Sequence, residues 1–238
     1  MSLDALAPLF SGPVSAYGDR LVPFTDARLG LPGTALLEPA TLSGQLARFA
    51  RTYPDAAPDP RAVASIWSKH HFAALIVPTL AASLILGRTL PVALSAIEVV
   101  SDADGRTIAL KLANAGIRIT GPGRFAPLIA DHIRPLADAL AAVSGLAPRV
   151  VWGDAGNVLD AILGKAELAA ACDPSGLAAA CDLIRLRRGP DGHPNPLFDA
   201  VRHVGPAPGT RRRKVCCLRY LIPTQSLCAA CPLPARPA

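Results

Sequence analysis

The run Phe72-Ala-Ala-Leu-Ile-Val-Pro-Thr-Leu-Ala-Ala-Ser-Leu-Ile-Leu86 governs how this chain folds, because so apolar a segment must be buried. It is 15 residues long, which is shorter than a membrane span requires, and Pro78 interrupts it. We therefore interpret it as part of a buried, kinked helix from about residue 60 to 87, and not as a transmembrane segment. Asp59-Pro60 supports this start, since aspartate caps helices and proline is favoured in their first turn.

Apolar residues at helical spacing predict two further helices on either side of this segment. One covers residues 42–53 and is stopped by Pro54. The other covers residues 128–143, bends at Pro135 and is closed by Gly145.

Two more helices are predicted before the C-terminal region. One is expected from about Ala155 to Ala171, directly after Trp152-Gly153-Asp154. Asp173-Pro174 caps the next, which runs to the break at Gly189-Pro190. The remainder of the chain is rich in proline and arginine, and we expect it to be irregular.

The segment from about residue 92 to 120 has the period of two that indicates strands. Apolar and polar residues alternate in three short runs separated by two turns. The turns are Asp104-Gly105 and Asn114-Ala115-Gly116, and the apolar members are Ile97, Val99, Ile108, Leu110, Leu112, Ile117 and Ile119. This pattern predicts a small antiparallel meander with one buried face.

Together these elements predict an α+β fold that is mostly helical, with a small antiparallel β-meander at about 92–120 and an irregular C-terminal segment. The length of 238 residues and the 51% hydrophobic composition allow one substantial core. We expect an α+β body over residues 1–190, with residues 191–238 packed on the same domain.

The N-terminus lacks the basic region and long apolar stretch of a secretory signal, which predicts a cytoplasmic protein. Thiols stay reduced in the cytoplasm, so clustered cysteines there indicate metal or redox chemistry and not structural disulfides. Four of the six cysteines lie close together near the C-terminus, as Cys216-Cys217 and then Cys228-Ala-Ala-Cys231.

The spacing of these four cysteines narrows the kind of metal site. A C-x-x-C pair lets Cys228 and Cys231 converge on one metal from a tight turn, whereas Cys216 and Cys217 can share a centre only if the backbone turns between or beside them. An adjacent pair argues against a zinc ribbon, in which both knuckles have spacers. Four thiolates still fit either Zn²⁺ or an iron–sulfur cluster.

The charge distribution is uneven along the chain. The net charge is +6, yet no acidic residue follows Asp199, and seven basic residues lie beyond it. Arg211 to Lys214 and Arg219 would offset the negative charge of an iron–sulfur centre and raise its reduction potential. A solvated basic surface is an equally good interpretation. A nucleic-acid-binding patch is less favoured, because Tyr220 is the one nearby aromatic residue and no DNA-reading module is recognisable.

The other candidate ligands have structural interpretations. Cys172 and Cys181 lie in alanine-rich helical sequence and are expected to be small core residues. His70 and His71 face different sides of a helix, which argues against a two-histidine metal site. His132 falls on an apolar stripe and is expected to be a hydrogen-bonded core histidine.

Two further groups of residues are not expected to carry the chemistry. His193 and His203 precede the cysteines but are not needed as ligands, since four cysteines suffice. Asp102 and Asp104 are turn residues and not an acid–base pair.

The tail Arg212-Arg213-Lys-Val-Cys216-Cys217-Leu-Arg-Tyr-Leu-Ile-Pro223, followed by Cys228-Ala-Ala-Cys231-Pro-Leu233, resembles the C-terminal signature of the FhuF-like ferric siderophore reductases. That family is marked by C-C-x10-C-x2-C, and the spacing here matches without insertion. Weaker similarities extend the resemblance from about residue 60 to the end; they are Ser65-Ile-Trp67, Val151-Trp-Gly-Asp-Ala-Gly-Asn157 and Asn195-Pro-Leu197. Residues 1–59 add nothing to it.

This resemblance implies a [2Fe–2S] cluster held by Cys216, Cys217, Cys228 and Cys231, and one-electron reduction of Fe³⁺ in a siderophore, with Fe²⁺ released in the cytoplasm. Residues 191–238 would be the cluster-binding segment. The chain has no dinucleotide-binding glycine motif, so we expect no bound nicotinamide or flavin and an electron-donor protein, possibly ferredoxin-like. Loose association with the inner membrane is compatible with this role. The rival hypothesis is an iron- or redox-sensing protein, or a zinc-stabilised binding protein, with a basic tail.

Overall fold

The computed structural model describes residues 3–12, 14–53, 57–119, 121–165, 172, 174–189, 191–206 and 209–234. Helices dominate these residues and small sheets accompany them, so the predicted α+β class is confirmed. The helices are α1 (Pro39–Ala50), α2 (Pro60–Leu86), α3 (Ala126–Leu128), α4 (Arg134–Ser144), α5 (Pro148–Leu163) and α6 (Pro174–Arg185). The strands are β1 (Leu21–Pro23), β2 (Leu31–Pro32), β3 (Arg88–Thr89), β4 (Ile97–Ser101), β5 (Thr107–Leu112), β6 (Ile117–Arg118), β7 (Val201–Val204) and β8 (Thr210–Arg213).

Helix α2 is the centre of the fold. The Asp59 carboxylate caps it by accepting the Arg61 N–H at 2.8 Å, and the helix ends before Gly87, whose φ of +62° is left-handed. By length and composition it could cross a membrane, but 72% of its apolar 18-residue window is buried inside the protein. The prediction of a buried helix is therefore confirmed. Helix α5 packs closely along it and carries the second side of the core.

The β4–β5 hairpin forms as predicted, with Ile97 opposite Leu112 across the antiparallel pair. The predicted third strand is real but pairs elsewhere: β6 is antiparallel to β3 and not to β5. Gly116 allows this, since a Cβ there would lie 2.2 Å from the Thr89 carbonyl oxygen. The expected buried face is wrong at this strand, because Ile117 is 64% exposed.

Two short N-terminal strands complete the main sheet, whose order is β1-β5-β4-β2. Strand β1 is parallel to β5, and β2 is antiparallel to β4. The sequence pattern did not reveal these strands, because two or three residues are too few to show a period. They bring the N-terminal segment across the sheet and against α2.

Several predicted helix boundaries move. Helix α5 begins at Pro148, so Trp152-Gly153-Asp154 lies inside it and not before it. Proline is favoured in the first turn of a helix, so Pro148 marks the start of α5, which therefore lies before Gly153 and not after it. The expected bend near Pro135 takes the form of a π-helical turn at Ile129–Ile133, directly before α4, and Gly145 ends α4 as predicted.

Some predictions lie outside the described residues. They include Pro54 as a helix stop, residues 166–171 at the end of the α5 prediction, and Asp173 as the cap of α6. Helix α6 ends at Arg185, before the predicted break at Gly189.

The C-terminal segment is more regular than expected. Strands β7 and β8 form an antiparallel hairpin in which Arg202 faces Arg212, and this hairpin leads directly into the cysteines. Side chains beyond residue 190, including Leu197 and Ile222, belong to the same hydrophobic core as α2 and α5. A domain boundary at residue 190/191 stays a prediction.

Candidate metal centre

The four C-terminal cysteines lie together directly after β8. Cys217 is buried, while Cys216, Cys228 and Cys231 are half-buried. Their thiols interact electrostatically in a ring, with Cys216 next to Cys217 and Cys231, and Cys228 next to the same two residues. The sulfurs of Cys217 and Cys228 are 3.7 Å apart. The chain therefore brings all four predicted ligands to one place with an edge near the surface.

The backbone turns sharply beside the adjacent pair, as two neighbouring ligands require. Leu218 has a left-handed φ of +58°, and its N–H points back to the Cys216 sulfur at 3.4 Å. The Arg219 N–H donates to the Cys217 sulfur. At the second pair, the Cys231 N–H donates to the Cys228 carbonyl oxygen at 2.9 Å, which closes a tight turn. Such N–H donors stabilise sulfurs that carry negative charge.

Cys217 and Cys228 share a proton when no metal is bound. The Cys217 thiol donates to the Cys228 sulfur, which lowers the pKa of Cys228 to about 6 and raises the pKa of Cys217. Burial raises the pKa of Cys216. Because thiolate is the form that binds metal, metal binding here releases protons.

A buried ion pair connects the cysteine segment to α5. The guanidinium of Arg213 donates to the Asp154 carboxylate at 2.5 Å, and both side chains are almost completely buried. Burial alone would lower the pKa of Arg213, but the charge of Asp154, followed by those of Cys217 and Cys228, raises it. Arg213 Nη1 is buried and has no hydrogen-bond partner within the described parts of the chain. Arg213 thus places a fixed positive charge beside two thiols.

Asp154 is held by α2 as well. Its second carboxylate oxygen accepts from the hydroxyls of Ser65 at 2.7 Å and Ser68 at 3.2 Å. Burial raises the pKa of Asp154, and Arg213 and Ser65 oppose that rise. Each of these contacts donates a hydrogen bond to the Asp154 carboxylate, so the surroundings stabilise its ionised form. Lys69, one residue along α2, adds a charge that lowers the pKa of Cys217 and Cys228.

The two upstream similarities noted in the sequence meet at this ion pair. Ser65 begins Ser65-Ile-Trp67, and Asp154 lies within Val151-Trp-Gly-Asp-Ala-Gly-Asn157. Residue patterns alone gave neither motif a role, because residues 65 and 154 are far apart in the chain. The available signal was a lone aspartate in the apolar and small-residue stretch Val150-Val-Trp-Gly-Asp-Ala-Gly156, since a carboxylate buried there would need a partner.

Small residues on α5 let the hairpin approach closely. A Cβ on Gly156 would lie 2.4 Å from that of Ala200, so a larger side chain would push the hairpin away. Arg211 of β8 then donates to Asp160 at 2.6 Å and to the Asn157 carbonyl oxygen at 2.8 Å. These contacts fasten the strand that leads into the cysteines.

Three of the four basic side chains directly before the cysteines are paired with carboxylates, and the fourth, Arg212, is exposed. Arg211 pairs with Asp160, Arg213 with Asp154, and Lys214 with Asp199.

The third family-like motif, Asn195-Pro-Leu197, also has a structural role, because the Asn195 side chain donates to the carbonyl oxygens of Leu183 and Leu186 at the end of α6.

The remaining cysteines and histidines stand apart from this site. Cys172 and Cys181 are half-buried, which makes them less enclosed than predicted. His70 is exposed. His203 Nε2 contacts the Asp160 carboxylate at 3.0 Å on the hairpin.

His71 and His132 form a buried pair that the sequence did not predict. Their Nε2 atoms are 2.8 Å apart, and His132 Nδ1 lies 2.6 Å from the Val92 carbonyl oxygen. Since that oxygen only accepts, His132 carries its proton on Nδ1 and accepts from His71 Nε2–H. His71 Nδ1 then accepts from the Thr107 hydroxyl at 2.8 Å. The prediction of His132 as a hydrogen-bonded core residue is confirmed, and both rings are neutral.

This pair predicts a loss of stability in mild acid. Burial lowers the pKa of His132 to about 4 and that of His71 well below 6.5, so the unfolded chain binds more protons than the folded one below pH 6.5. The contribution of this pair to the free energy of unfolding should be constant above about pH 6.5 and fall as the pH drops towards 4, by about 3 kcal/mol from His132 alone. Denaturant titrations at several pH values measure this.

Variants separate this pair from other titrating groups. His132→Gln should flatten the decline between pH 6.5 and 4 even if it lowers stability at pH 7. His193→Gln changes an exposed histidine and should leave the slope unchanged. An equal slope in all three proteins would show that the buried pair does not control acid stability.

The donor set suits a two-iron cluster. Two thiolates on one tetrahedral metal at about 2.3 Å are about 3.8 Å apart, which matches the Cys217–Cys228 separation of 3.7 Å. In the described residues, no three His, Cys, Asp or Glu side chains converge as a single metal ion would require. Two thiols in contact, with two more beside them, would supply the four thiolates that a [2Fe–2S] cluster requires.

Comparison with known protein families agrees with this geometry. Residues 65–210 match the family described as "Ferric iron reductase FhuF-like transporter", and residues 213–233 match the "FhuF 2Fe-2S C-terminal domain". The chain belongs to the FhuF-like family, and its cofactor is a [2Fe–2S] cluster. The second match contains all four C-terminal cysteines. No curated protein matches the chain.

Proposed function

We propose that this protein is a cytoplasmic ferric siderophore reductase, whose [2Fe–2S] cluster is held by Cys216, Cys217, Cys228 and Cys231. The observation that carries the proposal is the ring of four thiols, three of them half-buried, beside the buried charge of Arg213. A centre at this depth can exchange electrons with a partner at the surface. The family's description as a ferric iron reductase supports the same reaction.

The chemistry needs a single electron. Hard oxygen ligands hold Fe³⁺ more tightly than Fe²⁺, so reduction loosens the chelate without breaking a covalent bond. When bound, the cluster supplies that electron and returns to its oxidised form. The chelated iron goes from Fe³⁺ to Fe²⁺, which balances the transfer.

The protein's own residues set the conditions for this transfer. The charges of Arg213 and Lys69 favour the more negative, reduced state of the centre, because both act on Cys217 and Cys228. Asp154 holds Arg213 in place through its 2.5 Å contact. The N–H groups of Leu218 and Arg219 donate to ligand sulfurs and stabilise the same state.

A protein donor, possibly ferredoxin-like, would deliver the electron. Gly121-Pro-Gly-Arg-Phe-Ala126 has the glycine spacing of a dinucleotide-binding loop, but it follows the two-residue antiparallel strand β6 and is not part of a βαβ unit. The half-buried ligands Cys228 and Cys231 would give such a donor short access to the centre.

Reduction of ferric chelates tests the proposal. The anaerobically purified protein is reduced with dithionite, freed of excess reductant and mixed with a panel of ferric siderophores, while the visible spectrum is recorded. We expect reoxidation of the cluster and formation of one Fe²⁺ per cluster, detected with a ferrous chelator. The corresponding gallium(III) chelates are the control, since they accept no electron here. A cluster that no ferric chelate reoxidises would favour an iron or redox sensor.

A further inference from the structure

A cavity of about 420 Å³ lies between the N-terminal segment, α2 and the β4–β5 turn. Its size is within the range of small-molecule sites. The lining residues come from three parts of the chain: Ala16, Tyr17 and Arg20 from the N-terminal segment, His70, Ala73 and Ala74 from α2, and Asp102, Arg106, Thr107 and Ile108 from the hairpin. The cavity therefore lies against the α2 residues that follow Lys69.

Two guanidinium groups in this cavity have donors to spare. Arg20 donates Nη1–H to the Ile108 carbonyl oxygen at 2.9 Å, and its Nε has no hydrogen-bond partner in the part of the chain that the structure covers. Arg106 Nε is likewise without such a partner among those residues. Their nearest carboxylates are loose: Asp19 is 3.5 Å from Arg20, and Asp104 is 3.9 Å from Arg106. The two Nε atoms are themselves buried, and that of Arg20 faces Asp19, so contact with an oxygen-rich ligand would come from the terminal Nη groups, which carry four N–H donors in each guanidinium.

Among the other polar groups of the wall, the Asp102 carboxylate offsets one of the two guanidinium charges, so that two arginines and one aspartate leave the wall with a net positive charge. The Asp102 carboxylate already accepts the Arg106 backbone N–H at 2.9 Å. His70 packs edge-on against Phe49, and partial burial followed by the charge of Arg106 lowers its pKa even though its outer edge is exposed. The Thr107 hydroxyl is committed to His71. Ligand recognition therefore falls to Arg20 and Arg106.

One stretch of helix α2 lines the cavity and also carries a charge that acts on the thiols of the metal centre. Lys69 acts on the thiols of Cys217 and Cys228, and the next residue of α2, His70, lines the cavity. The charge of Arg219 also acts on His70, while the Arg219 backbone N–H is bonded to the Cys217 sulfur. A ligand in the cavity would lie against the same stretch of α2 that borders the thiols.

We propose that this cavity binds an anionic, oxygen-donor ferric chelate, with Arg20 and Arg106 contacting its negatively charged oxygens. The proposal rests on the proposed reductase function and gives it a substrate site. Arg20, Tyr17 and Ala16 precede the matched family range of 65–210, so the N-terminal segment of this chain forms one wall of the site. That wall would select among chelates, which gives residues 1–59 a role.

Binding is tested separately from electron transfer. Gallium(III) tris(catecholate), which carries the same charge as the ferric complex and is not reduced, is titrated into the cluster-loaded protein by calorimetry. We expect Arg20→Gln/Arg106→Gln to weaken binding roughly tenfold or more, because two charge-assisted contacts are lost. Ala73→Phe should block the cavity without changing its charge. Arg149→Gln removes an exposed arginine that does not line the cavity and should bind like the unaltered protein.

The outcomes distinguish the two proposals. Iron content and the visible spectrum first confirm that each variant retains its cluster. Binding that is unchanged in both cavity variants would overturn the cavity as the site, even if ferric chelates still reoxidise the cluster. Arginine-dependent binding of gallium(III) tris(catecholate), without reoxidation of the cluster by any ferric chelate of the panel, would support the cavity and overturn the reductase function. A gallium(III) trihydroxamate of zero net charge should bind more weakly, and equal affinity would contradict recognition of charge.

Discussion

Replacing Asp154 with alanine should destabilise the protein by about 3–5 kcal/mol, because it leaves the guanidinium of Arg213 buried and unpaired. The Ser65 hydroxyl would lose its acceptor in the same step, whereas the Ser68 hydroxyl would keep the Ser65 carbonyl oxygen at 2.8 Å. We also expect the purified variant to contain less cluster, since Arg213 joins β8 to the cysteine turn through its N–H contact with the Ala230 carbonyl oxygen at 2.8 Å. Anaerobic guanidinium titration and iron analysis measure the two effects.

Matched variants identify the cause of this loss. Asp138→Ala removes an exposed helical carboxylate and should change stability by less than about 0.5 kcal/mol. Asp154→Ala/Arg213→Ala removes both charges and should cost less than the sum of the single changes, because neither partner is left unpaired. If Asp154→Ala behaved like Asp138→Ala, the buried pair would not hold the metal centre in place.

The second large effect concerns the ligands. Cys228→Ser and Cys231→Ser should each abolish or strongly reduce the visible spectrum of the cluster, because a serine oxygen is a poor replacement for a thiolate on iron. Cys216→Ser and Cys217→Ser should behave similarly. Iron and sulfide analysis with electron paramagnetic resonance of the reduced protein checks this.

Two cysteines outside the ring serve as controls for this series. Cys172→Ser and Cys181→Ser change half-buried thiols that belong to other parts of the fold. Both should keep the full spectrum. If Cys172→Ser lost the cluster as completely as Cys228→Ser did, the proposed ligand set would be wrong.

The sequence predicted correctly those helices and strands whose caps, turns and apolar spacing all lie within one short segment. Helix α2 was predicted to within one residue at each end, since Asp59-Pro60 and Gly87 mark its ends and a long apolar run lies between them. The β4–β5 hairpin followed from alternation around Asp104-Gly105. Pairing of β6 with β3 was not predictable, because register across a turn depends on which backbone Gly116 approaches.

The residues of the metal centre likewise differ in whether the sequence alone could reveal their role. The four proposed ligands were readable from Cys216-Cys217 and Cys228-Ala-Ala-Cys231, since thiolate chemistry and spacing are properties of a short segment. The contact of Arg213 with Asp154 was not readable, because it joins residues 59 positions apart through the packing of β8 on α5.

The amino-acid sequence alone determined the fold class, the central buried helix and the cysteine set, because each depends on composition and spacing over short distances. Only the tertiary structure decided which basic side chain of the tail places its charge beside the thiols. Arg211 and Lys214 are paired with carboxylates elsewhere, whereas Arg213 is buried beside the thiols. It also formed the cavity between Arg20 and Arg106, which lie 86 positions apart. Charge acts through space, so its effect depends on distances that are set when distant parts of the chain pack together.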